Sequence, residues 1–182
     1  MFSVCVHEYM HARVAYNQGD TSVGDGGHLA MNPLQAMGGT SLIVLLLFGI
    51  AWGAVPVNPA RFRRRYSEAL VAFAGPLANL LLALVFAAIA WLGGQIGGRA
   101  VLFVCHYGVA ANIFLLLFNL LPIPILDGWD IYSFLFPPLR NVSREKAQQV
   151  GFFALLLILI LGWYQIIWTA AFSVASRVTG LS

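Results

Sequence analysis

The chain has 182 residues, 60% of them hydrophobic and only 9% charged, with ten basic and seven acidic side chains and a net charge of +3. Soluble domains carry roughly 25% charged residues, so this composition excludes an ordinary water-soluble fold and points to a lipid bilayer. The basic excess is no nucleic-acid footprint, because Arg61, Arg63, Arg64 and Arg65 crowd one loop beside an apolar run, where they read as a membrane topology signal.

The first element, within "VCVHEYMHARVAYNQGD", reads as a membrane helix ending near Asn17, where polar turn-forming residues begin. Only six residues precede His7, about 9 Å of helix. That is too little to complete a crossing on that side, so the full helix is expected to begin upstream. It has neither the basic start nor the small-residue cleavage site of a signal peptide. His7, Glu8 and His11 instead spell H-E-x-x-H. On a helix this spacing sets both imidazoles on one face with the carboxylate beside them, the geometry of a zinc site with an attached base. Histidine and glutamate are costly inside a bilayer, which weighs against a purely structural reading of the three.

The Gly-rich stretch from Asp20 to Gly39, with a few apolar residues alternating near "HLAM", predicts a short strand or hairpin at the membrane edge, with His28 as a surface or substrate-contacting residue. Apolar runs follow over residues 40 to 57, 67 to 92, 99 to 126 and 150 to 175, each close to or above the ~20 residues needed to cross hydrocarbon as a helix. Small residues in "AGPLANLLLAL" allow close helix packing, and Pro76 is tolerable near a helix start. Asn79 and Asn112 are expected to form interhelical hydrogen bonds, and His106 to have a packing or interfacial role. Cys5 and Cys105 lie in apolar helices and suggest neither a disulfide framework nor a thiolate metal site.

The basic residues orient the chain. Arg61 to Arg65 precede the run from residue 67, and Arg140, Arg144 and Lys146 follow the run from residue 99, whereas Arg99 stands alone between the two. The two basic loops should therefore face the cytoplasm. If Asp127 shares a site with His7 and His11, residues 18 to 39 and 58 to 66 fall on the same side. Residues 40 to 57 then cannot cross once, and a re-entrant or broken segment turning near Gly49 to Gly53 resolves the parity; the rival is a simple crossing, which puts four arginines outside.

A catalytic zinc takes three protein ligands and keeps one position open. Asp20, Asp25, Glu68 and Glu145 all have solvated explanations in polar or basic loops. Asp127 follows the mainly apolar "FLLLFNLLPIPIL", and an intramembrane carboxylate is expensive enough to be functional by default. Asp130 is its nearest competitor, or a cap for the next helix. Pro122 and Pro124 interrupt helical bonding and Gly128 permits a tight turn, so Asp127 is expected to swing out of its helix toward the first. Two roles fit Asn119: donating to a developing oxyanion, or bonding a carbonyl freed by Pro122.

The combination of "HEYMH", "AGPLAN" and "NLLPIPILDG" resembles the site-2 protease family of intramembrane zinc metalloproteases, in particular short members without PDZ or CBS domains. The likeness runs from Val6 to about Phe136, with "MNPL" and "VPVNP" also similar. It departs after "NPLQ", where "AMGGT" stands in place of His-Ile-Asp-Pro. The resemblance implies one zinc per chain, held by His7, His11 and Asp127, with Glu8 as the catalytic base and Asn119 as the family's motif asparagine. It further implies an all-α polytopic membrane protein in which residues 1–182 form one intramembrane domain. About four transmembrane helices are expected beside the re-entrant segment and the edge hairpin. It implies transmembrane protein substrates, a cell-membrane location and an active site toward the cytoplasmic side. No sensor domain is recognised within these residues, so selectivity is expected to come from the membrane segments or from a separate regulatory protein. Two other readings stay open: a non-proteolytic protein of the same fold that binds client helices, and a prenyl-protein type of protease. The latter needs a downstream glutamate ligand, and Glu68 and Glu145 at the membrane edge are poor candidates.

Overall fold

A computed structural model describes residues 1–48, 52–96 and 98–181. The described residues form α1 (Phe2–Gln18), α2 (Ser22–Asp25), α3 (Pro33–Phe48), α4 (Ser67–Ile96), α5 (Arg99–Asn119), α6 (Asp127–Leu135), α7 (Arg144–Ile160) and α8 (Tyr164–Thr179), and they contain no strand. α4 is the central element, packing against α1, α5 and α6, while α8 covers α5. The packing is inside-out relative to a soluble protein. Ala12, Ala15, Ala72, Ala74, Ala78, Ala83 and Ala90 are buried, whereas Leu46, Trp91, Phe103, Val104, Phe153 and Ile166 are exposed. Lipid offers large apolar side chains no penalty for facing outward, so close helix approach selects small residues within.

α4 over Ser67–Gly93 and α5 over Arg99–Asn119 are long and apolar enough to cross a membrane. α7 and α8 meet at a 68° bend and make a third span if taken together. The last apolar run is therefore not one straight helix: Gly162, at φ 70°, breaks it. α1, with 17 residues and His7, Glu8, His11 and Arg13 among them, does not reach the same measure, so length and composition support two to three spans.

The edge hairpin expected over Asp20–Gly39 does not form, because the polar residues there start helices instead of pairing strands. The Asp20 carboxylate accepts the Ser22 N–H at the entrance to α2. The Asn32 side chain accepts the Leu34 N–H just before Pro33 opens α3. Gly38, at φ 72°, then breaks α3 into two pieces.

Residues 49–51, where the re-entrant turn is expected, lie outside the described residues, but the chain on either side is drawn together. The Ser41 hydroxyl donates to the Trp52 carbonyl (2.7 Å) and accepts the Trp52 N–H (2.9 Å). The Ala54 N–H donates to the Ala36 carbonyl (3.1 Å). From Trp52 to Asn58 burial alternates: Gly53, Val55 and Val57 are half-buried, and Trp52, Ala54 and Pro56 are exposed. That period of two marks an extended backbone.

The loop after α1 and the arginine loop form one surface. Gly19, at φ 115°, caps α1 and leaves no space for a side chain, since a Cβ would stand 2.9 Å from the Arg61 carbonyl. The Gln18 carbonyl accepts the Arg63 N–H (3.0 Å), and the Gln18 side chain accepts the Ser67 hydroxyl (2.8 Å). Asp20 is fully buried, which overturns its solvated reading. One oxygen accepts the Asn58 N–H (2.7 Å) and the other the Ser22 N–H and hydroxyl. Residues 18–22 and 58–67 thus lie together on one side of the fold.

Burial raises the Asp20 pKa, but the Asn58 and Ser22 hydrogen bonds and the Arg61 charge outweigh it and hold the carboxyl below the usual carboxylate range. Asp20→Ala leaves buried donors unsatisfied and should cost about 1–3 kcal/mol, read as a lower unfolding midpoint in detergent. A carboxyl depressed in the folded state contributes stability above its unfolded pKa and loses it as pH falls through the folded value. The gap between parent and variant should therefore close in acid. A gap independent of pH would show that the charge is not its source.

Candidate metal centre

α1 carries His7, Glu8 and His11 on its buried side, and α4 supplies a partner for each imidazole. The His11 Nδ1–H donates to the Val71 carbonyl (2.7 Å). That oxygen can only accept, which fixes the tautomer and leaves Nε2 with a lone pair. His7 is fixed by a longer chain. The Gly108 carbonyl accepts the Asn112 amide N–H (2.8 Å), the Asn112 oxygen accepts the Asn79 amide N–H (3.1 Å), and the Asn79 oxygen accepts the His7 Nδ1–H (2.6 Å). Because Gly108 offers only an acceptor, each amide orientation follows from the one before it, and His7 Nε2 is also left with a lone pair. Asn79 and Asn112 are both fully buried, and they bond between helices as the sequence predicts.

Asp127 reaches the same point by a route that differs from the expected one. It does not swing out of the helix before it: α5 ends at Asn119, the chain turns through "LLPIPIL", and Asp127 is the first residue of α6. Gly128 works by close approach, not by a turn conformation. A Cβ there would stand 2.3 Å from the Leu121 carbonyl and 2.6 Å from that of Leu120, so glycine lets α6 begin against the end of α5.

The three groups converge. His7 Nε2 and His11 Nε2 are 2.9 Å apart, and the two Asp127 oxygens lie 3.1 Å from His7 Nε2 and 3.3 Å from His11 Nε2. With both rings neutral, the two Nε2 atoms and the carboxylate face one another as a set of metal ligands, and Asp127 Oδ2 has no hydrogen-bond partner. A tetrahedral zinc with ~2.0–2.1 Å bonds separates its ligands by about 3.3 Å, close to the observed spacing. Gly75 on α4 keeps this space open: a Cβ would lie 2.4 Å from His11 Nε2 and 2.5 Å from His7 Nε2. The donor set fits zinc, and among the described residues no other cluster of histidine, cysteine or carboxylate ligands converges in this way.

Glu8 is buried beside this point in a cavity of about 490 Å³. The Gly53 backbone runs against it, so close that a Cβ there would stand 2.4 Å from the Glu8 carboxyl. Asn119 also lines the cavity, but its amide N–H donates to the Leu115 carbonyl of its own helix (3.0 Å) and not to a carbonyl freed by Pro122. Asp130 and Glu68 line the cavity without joining the three ligand atoms. His106 is buried away from the site, where its Nδ1 lies 2.9 Å from the Thr179 hydroxyl and its ring meets Phe172 edge-on, a packing role. Sequence reasoning missed the tie from Asn79 to His7, and the roles of Gly75 and Gly53 as open space.

The model of peptidase family M50 matches residues 94–162, a stretch that includes Asn119 and Asp127. The protein named "Putative zinc metalloprotease YwhC" of Bacillus subtilis is 34% identical over 179 residues, covering 91% of this chain and 80% of that protein. The chain belongs to peptidase family M50, the site-2 proteases. Two mycobacterial proteins named "Putative zinc metalloprotease Rip2" are also similar. That of Mycolicibacterium smegmatis is 31% identical over 88% of this chain, and that of Mycobacterium tuberculosis H37Rv is 35% identical over 90%. The chain spans 64% and 67% of their lengths. No solved structure gives a significant match. Zinc is the metal that membership of this family implies.

The hydrogen bond that orients His7 is testable. Asn79→Ala should lower zinc affinity by roughly 10- to 100-fold, the usual loss when the partner of a metal-binding histidine is removed. Gly75→Ala should abolish zinc binding, since its methyl group would fill the space between the imidazoles. Metal content per purified chain, titrated against a chelator, measures both. Full retention by Gly75→Ala would show that metal sits elsewhere.

Proposed function

We propose that this chain is an intramembrane zinc endopeptidase that hydrolyses peptide bonds within or beside transmembrane segments of other proteins. The observation that carries this reading is the meeting of His7, His11 and Asp127 beside the Glu8 carboxylate, in a cavity inside an apolar helical protein. His7 Nε2, His11 Nε2 and an Asp127 oxygen would hold one zinc per chain. Zinc bound there supplies a Lewis acid that lowers the pKa of water toward ~7 and polarises a carbonyl. Glu8 takes a proton from the attacking water and later delivers it to the departing amine. Asn119 turns its amide from the Leu115 carbonyl to the developing oxyanion when substrate is present.

A helical peptide bond is shielded by its own turn, so the substrate must unwind to reach Glu8. Trp52–Asn58 supports an extended arrangement, since it is itself extended along the cavity and no strand pairs with it among the described residues. The unwound substrate adds alongside it through backbone hydrogen bonds. The chain acts as one multi-pass domain in the cell membrane, with α1, α4, α5 and the bent α7–α8 pair as its four passages. The active site lies toward the cytoplasm, the side that the arginine loop marks. Client selection rests with the membrane segments or with a separate regulatory protein.

Glu8→Gln should keep zinc and reduce cleavage of a tagged single-pass substrate at least 100-fold, the smaller end of what a general base contributes. Undiminished cleavage by a zinc-loaded Glu8→Gln protein would remove Glu8 as the base, whereas client capture without cleavage by the parent, and unchanged in Glu8→Gln, would end the protease reading. Helix-breaking residues near the cut should promote cleavage. Equal cleavage of a stiff poly-leucine segment would remove the unwinding step.

A further inference from the structure

The turn that leads into Asp127 is built against the preference of one of its own residues. The Leu126 N–H donates to the Ile123 carbonyl (3.0 Å), closing a turn with Pro124 and Ile125 at its centre. Proline suits the first central position, whereas a positive φ at the second favours glycine or asparagine. Ile125 occupies that second position at φ 84°, where a β-branched side chain crowds its own backbone. It is the one non-glycine residue with positive φ among the described residues. The side chain is not tucked into the interior: it is 50% exposed and lines the cavity that holds His7, Glu8 and Asp127. Behind it the turn is braced, because α7 presents Gly151 to the Pro124 carbonyl so closely that a Cβ would stand 1.8 Å from that oxygen.

Strain of this kind persists where the surroundings over-determine it, and it gathers at ligand clamps and active sites. Here the strained backbone aims a stiff apolar branch into the cavity, two residues from Asp127. Val55 and Val57 of the extended segment line the same cavity, so a substrate strand beside them meets apolar surface from both sources. We infer that Ile125 is a specificity-determining residue: its side chain walls the subsite for the substrate residue next to the scissile bond and selects apolar side chains there by size. The inference rests on the protease reading and deepens it. Glycine at 125 would suit the turn and open the subsite, and valine would keep the wall.

The test uses the full chain in detergent with a single-pass substrate whose residue beside the cut is set to Ala, Leu or Phe in turn. Ile125→Gly should keep its zinc and its unfolding midpoint while shifting the ratio of kcat/KM for Phe over Leu by roughly tenfold, the scale on which apolar pockets discriminate. Ile125→Val should keep the parental order. An unchanged ratio in a zinc-loaded Ile125→Gly protein would overturn the assignment. A second measurement reads contact without chemistry: Ile125→Cys in a Glu8→Gln background should form a disulfide with a cysteine walked along the substrate's transmembrane segment, at one position only. Cross-linking at one position with no cleavage by the parent would defeat the protease reading and keep the subsite. Cleavage by the parent without cross-linking would defeat the subsite and keep the protease.

Discussion

Two imidazole nitrogens and a carboxylate converge on one point, and the rest of this structure is organised around that arrangement. Left to themselves in a medium of low polarity, such groups would rotate apart or take up protons. They are denied rotation because each imidazole is tied at its far nitrogen, His11 to the Val71 carbonyl and His7 to the Asn79 oxygen. A bond to a backbone carbonyl is a strong choice for this purpose, because the acceptor has no second orientation. Asn79 lacks that property on its own, since an amide can flip. The chain through Asn112 to the Gly108 carbonyl removes the ambiguity by ending on a group that only accepts. The tautomer of a residue in α1 is thus decided by backbone in α5, through two side chains buried between helices.

The same constraint accounts for the small residues where α1 meets α4, Ala12, Ala15, Ala72 and Gly75 among them. Holding α1 against α4 at the distance these short hydrogen bonds require leaves no thickness for leucine or phenylalanine between the axes. Gly75 is the limiting case, since even a methyl group would occupy the space the ligands enclose. Gly128 and Gly53 show the same logic at two other edges of the site, one letting α6 abut the end of α5, the other letting backbone touch Glu8. In water a core of small residues would bury too little apolar area to hold a fold. In lipid the hydrophobic effect does not drive helices together, so close contact and interhelical hydrogen bonds carry the association.

Much of this was legible in the sequence, and the parts that were not share a cause. H-E-x-x-H marks two ligand candidates and a base by helix geometry alone, and the high cost of an intramembrane carboxylate singles out Asp127. The expected return of residues 40 to 57 rests on charge and parity, and its turn lies outside the described residues, whereas the contacts of Asp20 and Gln18 with residues 58–67 bring the flanking loops together. Asp20 itself was misread because a carboxylate in a Gly-rich loop is usually solvated. Its burial depends on a backbone N–H 38 residues away, which no local pattern encodes. The hairpin failed for a related reason: alternation near "HLAM" is short, and the helix-starting residues Asn32 and Pro33 outweigh it. Partners of the histidines were invisible as such, though "AGPLAN" contained both Gly75 and Asn79.

The extended Trp52–Asn58 segment joins the metal centre to the membrane problem. It is fastened at its start by Ser41 and Ala36 and at its end by the Asp20 carboxylate, so it is a fixed wall and not a loose loop. Its inward residues alternate with outward ones, so Gly53 meets Glu8 while Val55 and Val57 face the cavity and leave the intervening backbone at its margin. A helix brought to such a wall presents side chains, with its carbonyls already bonded inside. An unwound segment presents carbonyls and N–H groups that lost their partners on unwinding, and in lipid each unsatisfied group is costly. In the proposed function the wall would offer replacements for those partners beside Glu8. On the proposed reading, unwinding and hydrolysis are coupled by position: the backbone that would pair with an unwound substrate is the backbone that touches Glu8.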